Sequence, residues 1–202
     1  MKGHQKVQEV LIGIDVGSTN IRCGVYAIDA TMLFKATRPT SKAHRRQNFW
    51  GLDLEVIEPE LVWQLVCEVC QEAARFLQSG AFCLRGIAVA CIGCTAICLD
   101  KDRRVLYPLI LFDADVPEIF KKYQQELGPE QYFTITGYPL DPSNISFLLA
   151  KLRERDPANY SKISTILSIG GFINFKLSGE IGHEYSTAAA MALWDLRYRC
   201  WW

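Results

Sequence analysis

Three short apolar runs near the N-terminus, joined by connections too short to cross over, restrict the fold of this chain more than any other feature. Val10-Leu11-Ile12-Gly13-Ile14 ends in Asp15 and leads into the turn residues Gly17-Ser18-Thr19-Asn20. Ile21–Ile28 continues extended through Val25 and Tyr26, Asp29-Ala30 offers a tight turn, and Met32–Thr37 alternates weakly as a third strand. Parallel neighbours need a crossover of about a dozen residues or more, so these strands are expected to pair as an antiparallel meander.

The period then changes. Residues 38–58 are polar, rich in Arg, Asn and Asp, and read as loop. Pro59 suits a first helical turn, with Glu58 and Glu60 at the positive end of the helix dipole. Val62, Val66, Val69, Ala73 and Phe76 follow at helical spacing, and Ser79-Gly80 closes the element. Gly86–Ile92 is unbroken apolar sequence, which predicts a parallel strand buried on both faces. Ile97-Cys98-Leu99 and Val105–Phe112 read as strands around the charged turn Asp100–Arg104. Helices are predicted over 117–127 and 143–155, a further buried strand over Ile163–Ile169, and a short helix over Gly171–Leu177 closed by Ser178-Gly179. Strands followed by alternating helices and strands make this an α/β chain. With no internal repeat or linker, its 202 residues are expected to form one domain.

Composition narrows the partners. The 22 Lys and Arg balance the 22 Asp and Glu, which argues against a nucleic-acid or acidic-membrane binder, since both call for a basic excess. His44-Arg45-Arg46 is the one basic cluster and reads as a solvated loop. Met1–Glu9 is polar, the first apolar stretch is too short for a signal-peptide core, and no run reaches the ~18 apolar residues of a transmembrane helix. The eight cysteines lie mostly in apolar stretches and are expected as reduced thiols, with the cytoplasm as compartment. Cys67-x-x-Cys70 and Cys91-x-x-Cys94 match a zinc-ribbon spacing. The first pair, however, sits in a helix that already uses Val66 and Val69 for its core face, and core packing is the favoured reading. His4, His44 and His183 have polar neighbours and read as solvated loop residues.

The chemistry concentrates at Ile12-Gly13-Ile14-Asp15-Val16-Gly17-Ser18-Thr19-Asn20. A strand delivers one carboxylate to its end, and a glycine then lets the backbone turn beside two hydroxyl residues. Nucleotide phosphates need that set: backbone N–H donors in a nest, hydroxyls at phosphate oxygens, and an acid for Mg²⁺ or its water. Arg22 on the next strand adds a phosphate contact. There is no G-x-x-x-x-G-K-[ST] loop anywhere in the chain. The competing reading is an ordinary Asp-x-Gly hairpin turn.

This strand–Asp-x-Gly-Ser-Thr–strand opening resembles the first phosphate loop of the actin/hexokinase/Hsp70 superfamily. Within it the chain resembles the N-terminal lobe of FGGY-type carbohydrate kinases. The matching pieces run in order: Glu58-Pro59-Glu60-Leu61-Val62-Trp63, then Gly86-Ile87-Ala88-Val89 followed by Ala96-Ile97-Cys98-Leu99-Asp100, then Thr136-Gly137 with Arg155-Asp156-Pro157-Ala158-Asn159-Tyr160. Leu177-Ser178-Gly179-Glu180, Tyr185-Ser186-Thr187-Ala188 and Trp194-Asp195-Leu196 complete the succession. The resemblance covers nearly the whole chain. It implies a ribonuclease H-like (actin-like ATPase) α/β fold, a mixed sheet whose N-terminal antiparallel three-strand meander is flanked by helices. Residues 1–202 would then be one kinase N-terminal lobe.

The resemblance also implies roles. ATP and Mg²⁺ are the expected cofactors, with Asp15 holding magnesium through water and Gly17, Ser18, Thr19 and Arg22 at the phosphates. A small carbohydrate or polyol is the expected substrate, with Thr95 and Asp113 as candidate contacts. Departures are clear: Gly93-Cys94-Thr95-Ala96 lacks the Arg-Glu or Met-His of other members, and Leu111-Phe112-Asp113-Ala114-Asp115 keeps only the middle acid of W-x-D-x-R. Gly170-Gly171-Phe172 stands where many members place an Asp before an aromatic. The catalytic base and the adenosine site belong to a second lobe, absent from this chain and expected as its partner, with a homodimer as a further state. Trp194, Tyr198, Trp201 and Trp202 read either as a surface for that lobe or as a satellite aromatic cluster. The reading from a different class is a non-catalytic FGGY-like module that binds a small polyol or a protein.

Overall fold

The computed structural model describes residues 7–49, 52–107, 109–110 and 117–202, and these fall into two compact units. One takes in the chain up to His44 together with Glu60–Ile92, the other Arg45–Pro59 together with Gly93–Trp202. In chain order the strands are β1 (Gln8–Val16), β2 (Asn20–Ala27), β3 (Met32–Pro39), β4 (His44–Phe49), β5 (Leu52–Ile57), β6 (Phe82–Cys91), β7 (Ile97–Leu99), β8 (Val105–Tyr107), β9 (Leu109–Ile110), β10 (Thr165–Leu167), β11 (Trp194–Asp195) and β12 (Cys200–Trp201). The helices are α1 (Pro59–Gln78), α2 (Pro117–Glu126), α3 (Pro129–Thr136), α4 (Ile145–Arg155), α5 (Pro157–Tyr160), α6 (Ile169–Ser178) and α7 (Tyr185–Ala190).

The first unit carries a mixed sheet in the order β3-β2-β1-β6. β1, β2 and β3 form the antiparallel meander, and β6 joins β1 in parallel. Strand alternation divides the sheet into two chemically different faces. Val10, Ile12, Ile14 and Val16 share one face with Ile21, Cys23, Val25 and Ala27, and none of these is more than 8% exposed. Helix α1 covers that face with the residues its period predicts: Val62, Val66, Val69 and Ala73 are fully buried. Phe76 stacks on Phe34 at 5.1 Å between ring centroids, Cys70 meets Cys23, and Arg38 on β3 grips Glu68 and Glu72, one turn apart on α1. The opposite face holds Gly13, Asp15, Arg22 and Gly24, and becomes important below.

Two expectations fail here and in the second unit. The apolar run of β6 is not buried on both faces: β6 is an edge of its sheet, with Ile87 50% and Leu84 42% exposed. A continuous apolar run shows that a strand tolerates cover, but which neighbours supply it is settled by strand order. Residues 38–58 are not a loop either. They finish β3, form a 3₁₀ turn over Thr40–Ala43, and contribute β4 and β5. Their polarity hid the alternation of Leu52-Asp53-Leu54-Glu55-Val56, and β5 pairs antiparallel with β9, Val56 opposite Ile110.

The second unit holds the three-stranded antiparallel set β10-β7-β8, the set β4-β5-β9 and the hairpin β11-β12. Val56, Cys98 and Tyr107 pack with Ile145, Leu148, Leu149 and Leu152 of α4 and with Met191. A second cluster joins Tyr132 and Phe147 to Ile119, Ala150 and Ala192. The strand predicted over Ile163–Ile169 is shorter, because Ser168 takes the N-cap of α6 and accepts the Gly171 amide at 3.0 Å. The strand predicted over Val105–Phe112 is divided into β8 and β9, and its end lies outside the described residues. Helix α3 had no separate prediction; it ends at Gly137, whose φ of +71° is the left-handed cap that favours glycine. No described helix is long and apolar enough to cross a membrane.

Candidate active site

The turn after β1 carries the residues expected at a phosphate, Gly17, Ser18 and Thr19. β1 and β2 pair up to Asp15 opposite Arg22 and Val16 opposite Ile21, so the turn is held open at a fixed width. Gly17 donates its amide to the Asn20 carbonyl at 3.0 Å and accepts the Thr40 hydroxyl at 2.8 Å. A Cβ on Gly17 would lie 3.0 Å from that Asn20 carbonyl, so glycine is what lets the turn close this tightly. Thr19 accepts the Thr40 amide at 2.9 Å. Thr40, which the sequence did not single out, therefore braces the loop from its far side. Ser18 and Thr19 are exposed at the tip, and among the described residues neither their amides nor their hydroxyls have a donor–acceptor partner of their own. Unused N–H and O–H donors at a turn form an anion-binding concavity.

Asp15 and Arg22 stand beside this tip as an ion pair at 2.8 Å, through Oδ2 of the acid. Oδ1 makes no hydrogen bond among the described residues and faces the Gly17 side of the turn. The donor set fits a hydrated magnesium ion: an unshared carboxylate oxygen beside free hydroxyls is a hard-oxygen environment. Asp15 and Arg22 also line a groove of about 360 Å³ with Tyr26 and Lys35. The Tyr26 ring lies over two glycines; a Cβ on Gly24 would meet it at 2.6 Å and one on Gly13 at 3.3 Å. The signal for Tyr26 was available, since Arg22, Gly24 and Tyr26 alternate onto the face that carries Asp15.

In the second unit the substrate candidates fare differently. Thr95 is only 1% exposed and its hydroxyl accepts the Ile169 amide at 2.9 Å. It fixes the start of α6 and presents no surface to a ligand. Its neighbour Cys94 holds a φ of +51° and donates its thiol to the Ala190 carbonyl at 3.4 Å. Burial, with Asp141 nearby, pushes that thiol up, so it stays protonated and is a poor nucleophile. Asp113 lies outside the described residues. Gly170 and Gly171 are buried in the first turn of α6. His183 corrects its solvated-loop reading: it is half-buried, edge-on to Trp201 at 4.8 Å between rings. Among the described residues no His, Cys, Asp or Glu cluster could hold a metal ion, and Cys70 of the zinc-like spacing is spent on Cys23.

Comparison with known proteins decides the family. The profile of the N-terminal domain of the FGGY family of carbohydrate kinases matches residues 10–202. The chain belongs to that family. Among FGGY relatives, L-fuculokinase of Escherichia coli K12 is 24% identical over 197 residues, covering 95% of this chain and 40% of that protein. A probable L-xylulose kinase of Haemophilus influenzae is 24% identical over 187 residues, covering 92% of this chain and 38% of its own. This chain therefore spans about two-fifths of the relatives it matches. The fold agrees with solved FGGY structures: xylulose kinase from Rhodospirillum rubrum superposes with a TM-score of 0.83 at 22% identity, over 94% of this chain and 38% of that one. Plasmodium falciparum glycerol kinase with ADP gives 0.84 at 16% identity, over 96% and 39%. The FGGY chain described here thus has the mixed α/β sheet of the actin-like ATPase fold.

Proposed function

We propose that residues 1–202 act together as the N-terminal lobe of an ATP-dependent sugar or polyol kinase, which transfers the γ-phosphate to a carbohydrate hydroxyl. The observation that carries this is the Asp15–Arg22 pair set beside the open donors of Ser18 and Thr19. Phosphoryl transfer is mostly positioning and charge stabilisation, and these residues supply both. Ser18 and Thr19 hold the terminal phosphates with amide and hydroxyl donors, Gly17 keeps the turn tight, and Arg22 orients Asp15 and adds positive charge. Magnesium, held through water on Asp15 Oδ1, would neutralise charge on the phosphates. The family resemblance assigns the base that takes the substrate proton to the second lobe, so catalysis belongs to the longer protein. The matched proteins include an L-fuculokinase, xylulose kinases and a glycerol kinase, so a ketose or polyol is the substrate class to try first. Reduced thiols suit the cytoplasm.

The test is ADP release by protein made from the whole reading frame, with ATP, Mg²⁺ and a panel of ketoses and polyols. Turnover with one of them, lost in Asp15→Ala at unchanged melting temperature, supports the reading. A correctly folded two-lobe protein inert on the whole panel sinks it, and the non-catalytic binding module then takes its place.

A further inference from the structure

Among the described residues the sheet of the first unit has two edges, β3 and β6, and their sequences differ. β3 carries Lys35 and Pro39, a charge and a missing N–H donor of the kind that keeps an edge strand from pairing further. β6 has such protection only near its start: Arg85, its one charge, sits where the register with β1 skips a residue, and it turns back onto Glu9 at 2.8 Å. From Gly86 to Cys91 there is neither a charge nor a proline. The side chains of that stretch are open on both faces. Ile87, on the face of Ile12, is 50% exposed, and Ala88 and Ala90, on the face of Gly13 and Asp15, are exposed as well. The backbone is open too. Ile92 donates to the Val16 carbonyl, so by alternation the N–H and C=O groups of Ala88 and Ala90 turn to β1, and those of Ile87 and Val89 turn to the free edge.

We propose that β6 is an interior strand of a longer protein, and that Gly86–Cys91 pairs along its free edge with a further strand supplied by the rest of that protein. An unbroken apolar run belongs to a parallel strand covered on both faces, and β6 meets that description in its sequence and in its parallel pairing with β1. The cover has a source, since this chain spans about two-fifths of its relatives. The incoming strand is itself apolar, because its side chains must lie beside Ile87 on one face and beside Ala88 and Ala90 on the other. A second copy of this chain fits less well. Two β6 strands related by a two-fold axis run antiparallel, whereas the unbroken apolar run is the pattern of parallel neighbours. The proposal rests on membership of the family and not on the proposed kinase activity.

The test is amide hydrogen exchange, read residue by residue by mass spectrometry with electron-transfer fragmentation, on protein made from the whole reading frame and on the 202-residue chain. Ala88 and Ala90 should exchange slowly in both, which reports that β1 and β6 have paired. Ile87 and Val89 should be protected like them in the whole protein, and should exchange about a hundredfold faster or more in the 202-residue chain. The comparison needs no substitution and no turnover, so an inert enzyme still gives a result and the two proposals fail separately. Ile87 and Val89 amides that stay fast in the whole protein, beside slow Ala88 and Ala90, overturn the proposal even if the side chains become covered. A reading frame that ends at Trp202 overturns it as well. Protection of Ile87 and Val89 in the 202-residue chain that rises with its concentration would assign the edge to a second copy, and overturns it equally.

Discussion

Asp15 and Arg22 are 47% and 41% exposed at their side chains, and an ion pair that wet contributes under about 1 kcal/mol. Asp15→Asn should therefore leave thermal unfolding nearly unchanged while removing the charge that the proposed phosphate loop calls for. A large fall in melting temperature would mean that the pair serves the fold instead. Thr95 is the opposite case. Thr95→Val should cost about 1–3 kcal/mol in urea unfolding, because the Ile169 amide would be left buried and unpaired. Glu184 and Asp195 set the acid limit of the second unit. The Ser186 hydroxyl and the Ser186 and Thr187 amides hold Glu184 at about 2, down from 4.5, and Arg197 with neighbouring amides holds Asp195 at about 2, down from 3.8. A carboxylate whose folded value is depressed stabilises fully above its unfolded value and loses that contribution as pH falls through the folded one. Stability should decline from about pH 4.5 towards 2, and Glu184→Gln with Asp195→Asn should flatten that decline in acid titrations followed by circular dichroism.

At the scale of elements, Gly137 shows how a helix end is fixed. It closes α3 at a φ of +71°, and a Cβ there would meet Leu196 Cδ1 at 2.4 Å. Gly137→Ala should destabilise by about 1–2 kcal/mol from the backbone alone, before the clash is counted, and equilibrium unfolding will measure it. Phe147 is the centre of its helix packing, edge-on to Phe120 and Tyr123 and stacked on Tyr132, so Phe147→Ala should cost about 3–5 kcal/mol. Elements with strong local signals were legible: α1 from its four-three apolar period, the meander from its short turns, and α6 from Ser178-Gly179. Those whose definition rests on a distant partner were not. β5 lies between β4 and the distant β9, Val56 opposite Ile110, and β6 becomes an edge because no described strand lies beyond it.

For the whole molecule, the chain's two-fifths share of its relatives bears on the chemistry. If the base and the adenosine site lie in a second lobe, as we propose, the 202-residue chain should release no ADP above the ATP-only background with any sugar in the panel. Turnover by the chain alone, abolished by Asp15→Ala, would place the whole reaction within these residues and refute that division. The balance of 22 basic and 22 acidic residues fits the proposed small-molecule kinase, whose phosphate contacts we propose to be local to Asp15–Thr19.

The sequence by itself determined the α/β class, the N-terminal meander, helix α1 and the place of Gly17, Ser18 and Thr19 on one turn with Asp15 and Arg22 on the strands beside it, since turn chemistry and side-chain period are local properties. Only the tertiary structure decided that Thr40 braces that turn, that Tyr26 lies across two glycines beside it, that Thr95 is spent on an α6 amide, and that His183 and Arg153 line one cavity. Each of those depends on which strand or helix lies alongside. Such adjacency arises from burying apolar faces that are far apart in the chain, and local patterns do not encode it.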